Sequence, residues 1–354
     1  MNKKRKDIYF LPFNLLSMRS GSILIVSLWI LTIFVVLVLS LGYRSNIEAK
    51  LSLREQEYFQ AEQLLFSGVN FAYYYIVSDE DTSVDSKFDT WYNHIEFSDD
   101  VWESNDLSIN IFDEESKINI NQANDKTLRY LFEYIDEEIH ELNAPVEDIV
   151  EAILLWRGEE ALKDKHKGAS DVKSEPFDSI YELLLVKDIN YYDFTIIKDY
   201  LTVCSNDKNF LKINPNTASE AALYAVIFSL AGDERHKKDI FEKLVAFRTS
   251  AEKLLGSEIE EEEELPYFTS NDLSPYNFLN RIGVSSDVLS VSLALQFIRH
   301  LTVDSKNFYV TVTAFSDDNL PLRSVRAVLV PSESKTGSLD KENELKIFSW
   351  FEAN

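Results

Sequence analysis

The side chains that most often carry out catalysis are few in this sequence and follow no familiar pattern. There is one cysteine, Cys204, which excludes an intramolecular disulfide and a site built from several thiolates. No Gly-x-Ser-x-Gly, phosphate-binding loop, His-Glu-x-x-His or dinucleotide-binding motif occurs. The five histidines lack the spacing of a metal site: His94, His140, His166, His236 and His300. The sequence therefore predicts a protein that is not an enzyme.

Carboxylates are the one abundant chemical group. The 354 residues include 60 Asp and Glu against 35 Lys and Arg, which gives a formal net charge of −25. Neighbours such as Asp99–Asp100 and Asp317–Asp318 point to opposite sides of an extended backbone, which argues against a catalytic pair. The acidic run at 258–264 fits a solvated loop better than a site. We expect no required cofactor, with Ca²⁺ as the ion that acidic loops could bind through oxygen ligands.

The first 21 residues differ in charge from the rest of the chain. They hold five basic residues and one acidic residue, and no residue from Ser20 to Tyr43 is charged. Ser22–Leu41 contains no Gly or Pro, and as a helix with a rise of ~1.5 Å per residue it spans the ~30 Å hydrocarbon core of a membrane. The basic residues in front of it predict a cytoplasmic N-terminus, with the bulk of the chain on the far side.

Three kinds of N-terminal segment could have this composition. A secretory signal has a shorter apolar region and a small-residue cleavage site, which Ser40-Leu41-Gly42 matches poorly. A plain membrane anchor is the simplest alternative. The order of features favours a third kind: a basic leader, then Gly21, then one long helix whose first half is apolar. This order resembles the leader of type IV pilins and pseudopilins.

The resemblance to pilins implies that a prepilin peptidase cuts between Gly21 and Ser22 on the cytoplasmic side. The fifth mature residue would then be Val26, where most pilins have a glutamate that pairs with the amino terminus of the neighbouring subunit. A buried charge without a partner is costly, so this pair sets the subunit register, and Val26 cannot form it. The K-type minor pseudopilins of type II secretion share this departure, and also a tryptophan at the eighth position, here Trp29.

The segment 117–303 is predicted to be mainly helical and contains an internal repeat. Lys117–Leu128 (KININQANDKTL) parallels Lys212–Leu223 (KINPNTASEAAL), and Val150–Arg157 parallels Phe241–Arg248. The sequence therefore predicts two related helical units. Their predicted bounds are 117–157 and 212–248.

Each repeat opens with an Asn-x-Asn motif. The candidate helix N-caps are Asn121 and Asn216 or, just after them, Asn124 and Ser219. This entry resembles both the helix-hairpin-helix DNA module of competence proteins and the helical insertion of K-type pseudopilins. The DNA module needs a turn with an apolar residue and a glycine, whose backbone N–H groups bind phosphate. The candidate turn of the second repeat has Gly232 next to acidic residues, and that of the first repeat has no glycine. With a net charge of −25, we expect no nucleic-acid partner.

Strands return near the C-terminus. Apolar residues alternate with polar ones over Phe308–Ala314 and again over Val325–Leu329, which predicts a hairpin. An isolated hairpin is marginally stable, so it needs a partner strand, and the nearest candidate is Leu107–Phe112. The first and last parts of the region that follows the membrane-spanning segment are therefore expected to form one sheet, which packs on the stem helix. Residues 337–354 could add an edge strand or serve as a docking tail.

The predicted fold class is α+β. It combines a long N-terminal transmembrane helix, a pseudopilin-like antiparallel sheet head and a large all-helical insertion with a helix-hairpin-helix-like repeat. The predicted domains are the leader 1–21, the stem helix 22–76, the first part of the head 77–116, the helical insertion 117–303 and the second part of the head 304–354.

Over Gly21–Val330, the order of these motifs is similar to that of the K-type minor pseudopilins. The residues that match their motifs, with structural roles, are Trp29, Asn119, Asn121, Trp156, Arg157, Asn214, Asn216 and Thr217. The resemblance implies a subunit at the tip of the type II secretion pseudopilus, which helps to initiate assembly and the secretion of folded proteins.

The same resemblance implies partners and a location. The partners would be the I- and J-type minor pseudopilins, the major pseudopilin, the prepilin peptidase and the inner-membrane assembly platform. The chain would cross the inner membrane once, with its bulk in the periplasm. Two alternatives stay open: a tip subunit of a type IV or competence pilus, and a membrane-anchored helical binding protein.

Overall fold

The structure is a computed structural model. It describes residues 20–79, 81–95, 107–159, 173–204, 210–254, 265–316, 320–331 and 345–353. The chain divides after Gln60 into two compact units. Helices and antiparallel strands both contribute, and this confirms the predicted α+β class.

The regular elements follow one another in mixed order. The α-helices are α1 Ser20–Val77, α2 Asp125–Glu138, α3 Val146–Trp156, α4 Tyr191–Ile197, α5 Glu220–Ser229, α6 Glu234–Glu252, α7 Pro275–Arg281 and α8 Val288–Phe297. The strands are β1 Asn93–His94, β2 Leu107–Asp113, β3 Ile118–Asn119, β4 Leu201–Thr202, β5 Phe308–Phe315, β6 Pro321–Pro331 and β7 Leu345–Ala353. Short 3-10 helices lie at Glu114–Ser116, Ile180–Leu185, Lys198–Tyr200, Ser270–Asp272 and Ile298–His300.

Helix α1 is continuous for 58 residues and has two different surfaces along its length. In the first unit, its apolar side chains from Ile23 onward are exposed. Among the described residues, Ile23–Val77 is the helix that is long and apolar enough to cross a membrane. In the second unit, α1 instead buries side chains at the spacing of one helical face: Ala61, Leu65, Val69, Ala72 and Ile76.

A sheet of five antiparallel strands, in the order β1-β2-β5-β6-β7, covers this buried face of α1. The predicted alternation is confirmed, because Ile109, Ile111, Val310 and Val312 are fully buried while the residues between them are half-buried. Close approach of helix and sheet depends on Gly68. A Cβ atom there would lie only 2.5 Å from Cγ1 of Val312.

The predicted partner of the C-terminal hairpin is also confirmed. Strand β2 pairs with β5 along its whole length, with Ile109 opposite Val312. Strand β6 pairs with β5 on the other side, and β7 extends the sheet beyond β6, so part of the C-terminal tail is a further strand. The helical block lies in the sequence between two paired neighbours, β2 and β5, and is therefore an insertion in the sheet.

The two halves of the helical block share one architecture. In the first half, β3 pairs in parallel with β4, so Ile118 lies opposite Leu201. In the second half, Ile213 forms a parallel bridge with Leu301. Each half thus runs from an Asn-x-Asn strand to a Leu-Thr-Val strand, over 117–203 and 212–303. The correspondence extends beyond the predicted units, and the identical Leu-Thr-Val sequences at 201–203 and 301–303 could have shown this.

Hydrogen bonds settle which residues cap the helices after the two Asn-x-Asn motifs. Asn124 and Ser219 are the N-caps, since Asn124 Oδ1 accepts from Thr127 N at 2.9 Å and Ser219 Oγ accepts from Ala222 N at 3.2 Å. The alternative prediction, that Asn121 and Asn216 are the N-caps, was wrong. Within Phe177–Val203, the first helical segment is the 3-10 helix Ile180–Leu185, and α4 follows it as an α-helix.

Candidate functional site

The apolar half of α1 is a surface available for a membrane or for other helices. Val26 is 52% exposed and Trp29 is 67% exposed. The backbone of Gly21 and Ser22 belongs to the first turn of α1. Residues 1–19 lie outside the described residues, so the leader and the cleavage between Gly21 and Ser22 stay predictions.

The first Asn-x-Asn motif holds together parts of the chain that are far apart in sequence. Asn121 Nδ2 donates to Phe177 O at 2.9 Å, and Phe177 N donates to Asn121 Oδ1 at 2.8 Å. Asn119 Oδ1 accepts from Asn121 N at 2.9 Å, and Asn119 Nδ2 donates to Cys204 O at 2.7 Å. The two amides therefore fix the loop before α2 to the start and end of the 177–204 segment.

Trp156 is the last residue of α3 and Arg157 is its C-cap, and their side chains bind two other segments of the first helical half. Arg157 Nη1 donates to Ile120 O at 2.8 Å and to Ala123 O at 2.7 Å, two carbonyls of the loop that carries the first asparagine motif. Trp156 Nε1 donates to Glu182 Oε2 at 3.2 Å. The first set of motif residues from the sequence thus forms one structural cluster, in which polar groups satisfy buried backbone.

The second Asn-x-Asn motif repeats this arrangement. Asn216 Nδ2 donates to Phe268 O at 3.0 Å, and Phe268 N donates to Asn216 Oδ1 at 2.7 Å. Asn214 Oδ1 accepts from Asn216 N at 3.0 Å, as Asn119 does from Asn121. The amides of Asn214 and Asn216 also donate to the carbonyl of Asp85, at 3.0 and 3.2 Å.

Through Asp113, the second motif is also bonded to the sheet. Asp113 ends β2, and its Oδ2 accepts from Asn214 Nδ2 at 3.0 Å, Thr217 Oγ1 at 2.5 Å and Ser305 Oγ at 2.7 Å. Its Oδ1 accepts from Glu115 N at 2.7 Å. The carboxylate therefore joins the end of β2, the second helical half and the segment that leads into β5.

Several buried carboxyls meet at this junction. Burial raises the pKa of Asp113 and outweighs the hydrogen bonds from Thr217, Ser305 and Glu115, which favour its charged form. Burial and the neighbouring Asp113 hold the pKa of Glu115 well above its ordinary value, although Asn307 Nδ2 donates to Glu115 Oε1 at 2.6 Å. Sequence reasoning missed this network, because its partners lie about 100 or more residues apart in the chain.

A cluster of three carboxylates in the loop after α1 is the candidate metal site. One oxygen each of Asp79, Asp85 and Asp89 lies within 4.8 Å of the others. Burial raises the pKa of Asp85 to about 9 and that of Asp89 to about 7, and neighbouring acids add to the effect. These hard oxygen donors fit Ca²⁺. Trp91 anchors the loop, because its buried indole donates to Asp79 Oδ2 at 3.0 Å.

The sequence pointed to other acids for Ca²⁺. Asp99, Asp100, Asp317, Asp318 and the run 258–264 lie outside the described residues, so nothing tests them. The signal that could have found the cluster is the Asp-rich stretch just after the stem helix.

The apolar-Gly turn lies elsewhere than expected. Gly283 has a φ of +70° and connects α7 to α8 between Ile282 and Val284. In a phosphate-binding hairpin, the following helix N-terminus would face the anion. Here the Asp287 carboxylate occupies that position and accepts from Leu289 N and Ser290 N, both at 2.9 Å. The expectation of no nucleic-acid partner stays a prediction.

Comparison with known proteins gives a likeness to a solved structure. No protein-family model matches the chain, and no curated protein sequence does. Among solved structures, a chain of the GspK-GspI-GspJ complex of the type 2 secretion system from enterotoxigenic Escherichia coli is similar, with 15% identity and a TM-score of 0.54. The alignment covers 85% of this chain and 98% of the other.

This chain has a pseudopilin-like fold. At this identity the likeness concerns the fold alone. The pseudopilin-like features are the long apolar N-terminal helix, the small antiparallel sheet and the large helical part.

Proposed function

We propose that this chain is a K-type minor pseudopilin that acts at the tip of a type II secretion pseudopilus. Its fold supports a role related to a pseudopilus, since the similar solved chain comes from a complex of minor pseudopilins. The observation that carries the finer proposal is the combination of Val26 with a helical insertion between β2 and β5.

The tip position follows from two physical effects. In a pilin stack, the acid at position five pairs with the amino terminus of the neighbouring subunit, and without that acid the amine would be buried unpaired. A subunit with Val26 is therefore tolerated best at the end of the filament. The insertion of nearly two hundred residues, 117–303, adds bulk to the head and would hinder the addition of another subunit above it.

In this proposal, assembly is non-enzymatic. The exposed apolar face of α1 packs on the stems of the I- and J-type minor pseudopilins and of the major pseudopilin. The prepilin peptidase removes residues 1–21, and the inner-membrane platform extracts the stem. Before assembly the chain crosses the inner membrane once, with its bulk in the periplasm. Ca²⁺ held by Asp79, Asp85 and Asp89 would stabilise the loop that joins the stem to the sheet.

The test is a change of Val26 to the residue that other pilins have. Val26→Glu lies on an exposed part of α1, so folding should be unaffected while pseudopilus initiation is reduced. Val26→Leu is the matched control, since it keeps the side chain apolar and should initiate like the unchanged chain. Pseudopili would be counted in cells that carry the complete secretion machinery. Equal initiation by Val26→Glu and Val26→Leu would refute the tip proposal.

A further inference from the structure

A cleft lies between the outer surface of the sheet and the first helical half. Its cavity volume is about 90 Å³, which has room for several water molecules or for a small polar group. Tyr309 of β5 and Arg326 of β6 form one wall, and Tyr181 and the 201–204 segment form the other. Pockets at such junctions between substructures are common binding sites.

Arg326 is the notable group in this cleft, because it is a half-buried cation that forms no ion pair with the side chains that the structure describes. Its Nη1 donates to the Tyr181 hydroxyl at 3.4 Å, and Tyr309 and Asp199 interact with it electrostatically, but no described carboxylate lies within ion-pair distance of it. A guanidinium that gives up much of its hydration is normally paired, most often with a carboxylate in a two-pronged geometry. Two lysines also line the cleft: Lys198, and Lys117, which is already bound to Glu114 at 2.6 Å.

We propose that this cleft is a carboxylate-binding site centred on the Arg326 guanidinium, with the Tyr181 hydroxyl as a second polar contact. A planar carboxylate matches the fork of N–H donors that an arginine presents. A doubly charged phosphate fits less well, because Glu114 and Asp199 line the same cleft and would repel it more strongly than a single charge. The site is independent of any role in a filament.

The carboxylate could come from an acidic side chain of a partner protein or from a free organic acid, and one experiment separates these sources. The full chain in detergent is titrated calorimetrically with glutarate and with the amide-capped peptide Gly-Gly-Glu-Gly-Gly. The peptide Gly-Gly-Gln-Gly-Gly and inorganic phosphate serve as comparison ligands. Binding of either carboxylate probe supports the site, and binding of the peptide alone assigns the source to a protein.

Variants identify the residue responsible. Arg326→Gln should weaken binding at least tenfold, and Arg326→Lys should give an intermediate loss because a single ammonium lacks the fork. Arg299→Gln is the matched control: Arg299 is exposed in the 3-10 helix Ile298–His300 and does not line the cleft, so its loss should leave binding unchanged. Tyr181→Phe removes only a hydroxyl and should weaken binding severalfold.

Three results would overturn the assignment. They are the absence of saturable binding of both carboxylate probes, equal binding by the unchanged chain and Arg326→Gln, and tighter binding of phosphate than of glutarate. Circular dichroism on each variant separates lost binding from lost folding. Should Arg326→Gln fail to fold, Arg326→Lys and Tyr181→Phe still decide the question.

Discussion

Asn216 and Phe268 lie 52 residues apart in the chain and bind each other through two hydrogen bonds, one from the Phe268 amide and one to its carbonyl. Asn121 and Phe177 form the same reciprocal pair in the first helical half. An asparagine amide presents a donor and an acceptor side by side and can replace a strand neighbour for one residue. In each helical half, the pair therefore joins two loop segments that are not part of a β-sheet.

Loss of this pair should destabilise the fold. In Asn216→Ala the buried N–H and C=O of Phe268 lose their partners, at a cost of ~1–3 kcal/mol for each unsatisfied group. We expect the free energy of unfolding to fall by about 3 kcal/mol, measured by urea unfolding of the full chain in detergent. Asn277→Ala is the control, because Asn277 is exposed and donates one side-chain bond, to Asn271 O. Equal losses in the two variants would contradict the structural role of Asn216.

Close packing at Gly68 gives a second prediction. A Cβ atom at this position would clash with Val312, so Gly68→Ala should lower head stability by about 1–3 kcal/mol. Gly42→Ala is the control, since nothing lies within 4 Å of a Cβ atom there. The double variant Gly68→Ala/Val312→Ala should be less destabilised than the sum of its parts, because the smaller side chain makes room. Additive losses in thermal unfolding would rule out the direct clash.

The acidic loop predicts an effect of calcium on stability. Burial and the neighbouring acids disfavour the charged forms of Asp85 and Asp89, and a bound divalent cation would stabilise those charged forms. Addition of Ca²⁺ to the chelator-treated protein should raise its Tm, and Mg²⁺ at the same concentration should raise it less. Asp89→Asn should reduce the Ca²⁺ effect. An unchanged Tm in chelator and in Ca²⁺ would mean that the loop does not hold the ion.

Cys204 should react slowly with alkylating reagents. Burial, together with Glu114 and Glu115, raises the pKa of this thiol from 9.0 to about 12. Since the thiolate is the reactive form, alkylation by iodoacetamide at pH 8 should be about a thousandfold slower than for an ordinary thiol. The same protein in urea should react at the ordinary rate, which is the internal control. Rapid alkylation of the folded chain would show that the thiol lies in a more polar environment.

Elements with strong local patterns could be predicted from the sequence. In β2, β5 and β6, apolar and polar residues alternate because one face of the sheet is buried. This pattern located the three strands, and the need of the hairpin for a partner identified β2 as the strand that pairs with β5. The repeated Asn-x-Asn motif located the start of both helical halves. These signals are visible because each is encoded within a dozen residues or by duplication.

The contacts of the motif residues could not be predicted in this way. Asn121 and Asn216 have the side chains of N-caps, yet their amides bind backbone more than 50 residues away. The Asp79–Asp85–Asp89 cluster depends on a loop conformation, and the cleft joins Tyr181 to Arg326 across 145 residues. Such arrangements are set by tertiary packing, for which one sequence carries no local signal.

The most direct test of the central proposal is the intact mass and N-terminal sequence of the protein after co-expression with its own prepilin peptidase. The proposal predicts loss of residues 1–21, so that the mature chain begins at Ser22, with an N-methyl group on that residue. An uncleaved chain, or a cut near Gly42, would contradict it and would leave an anchored or secreted protein with a pseudopilin-like fold.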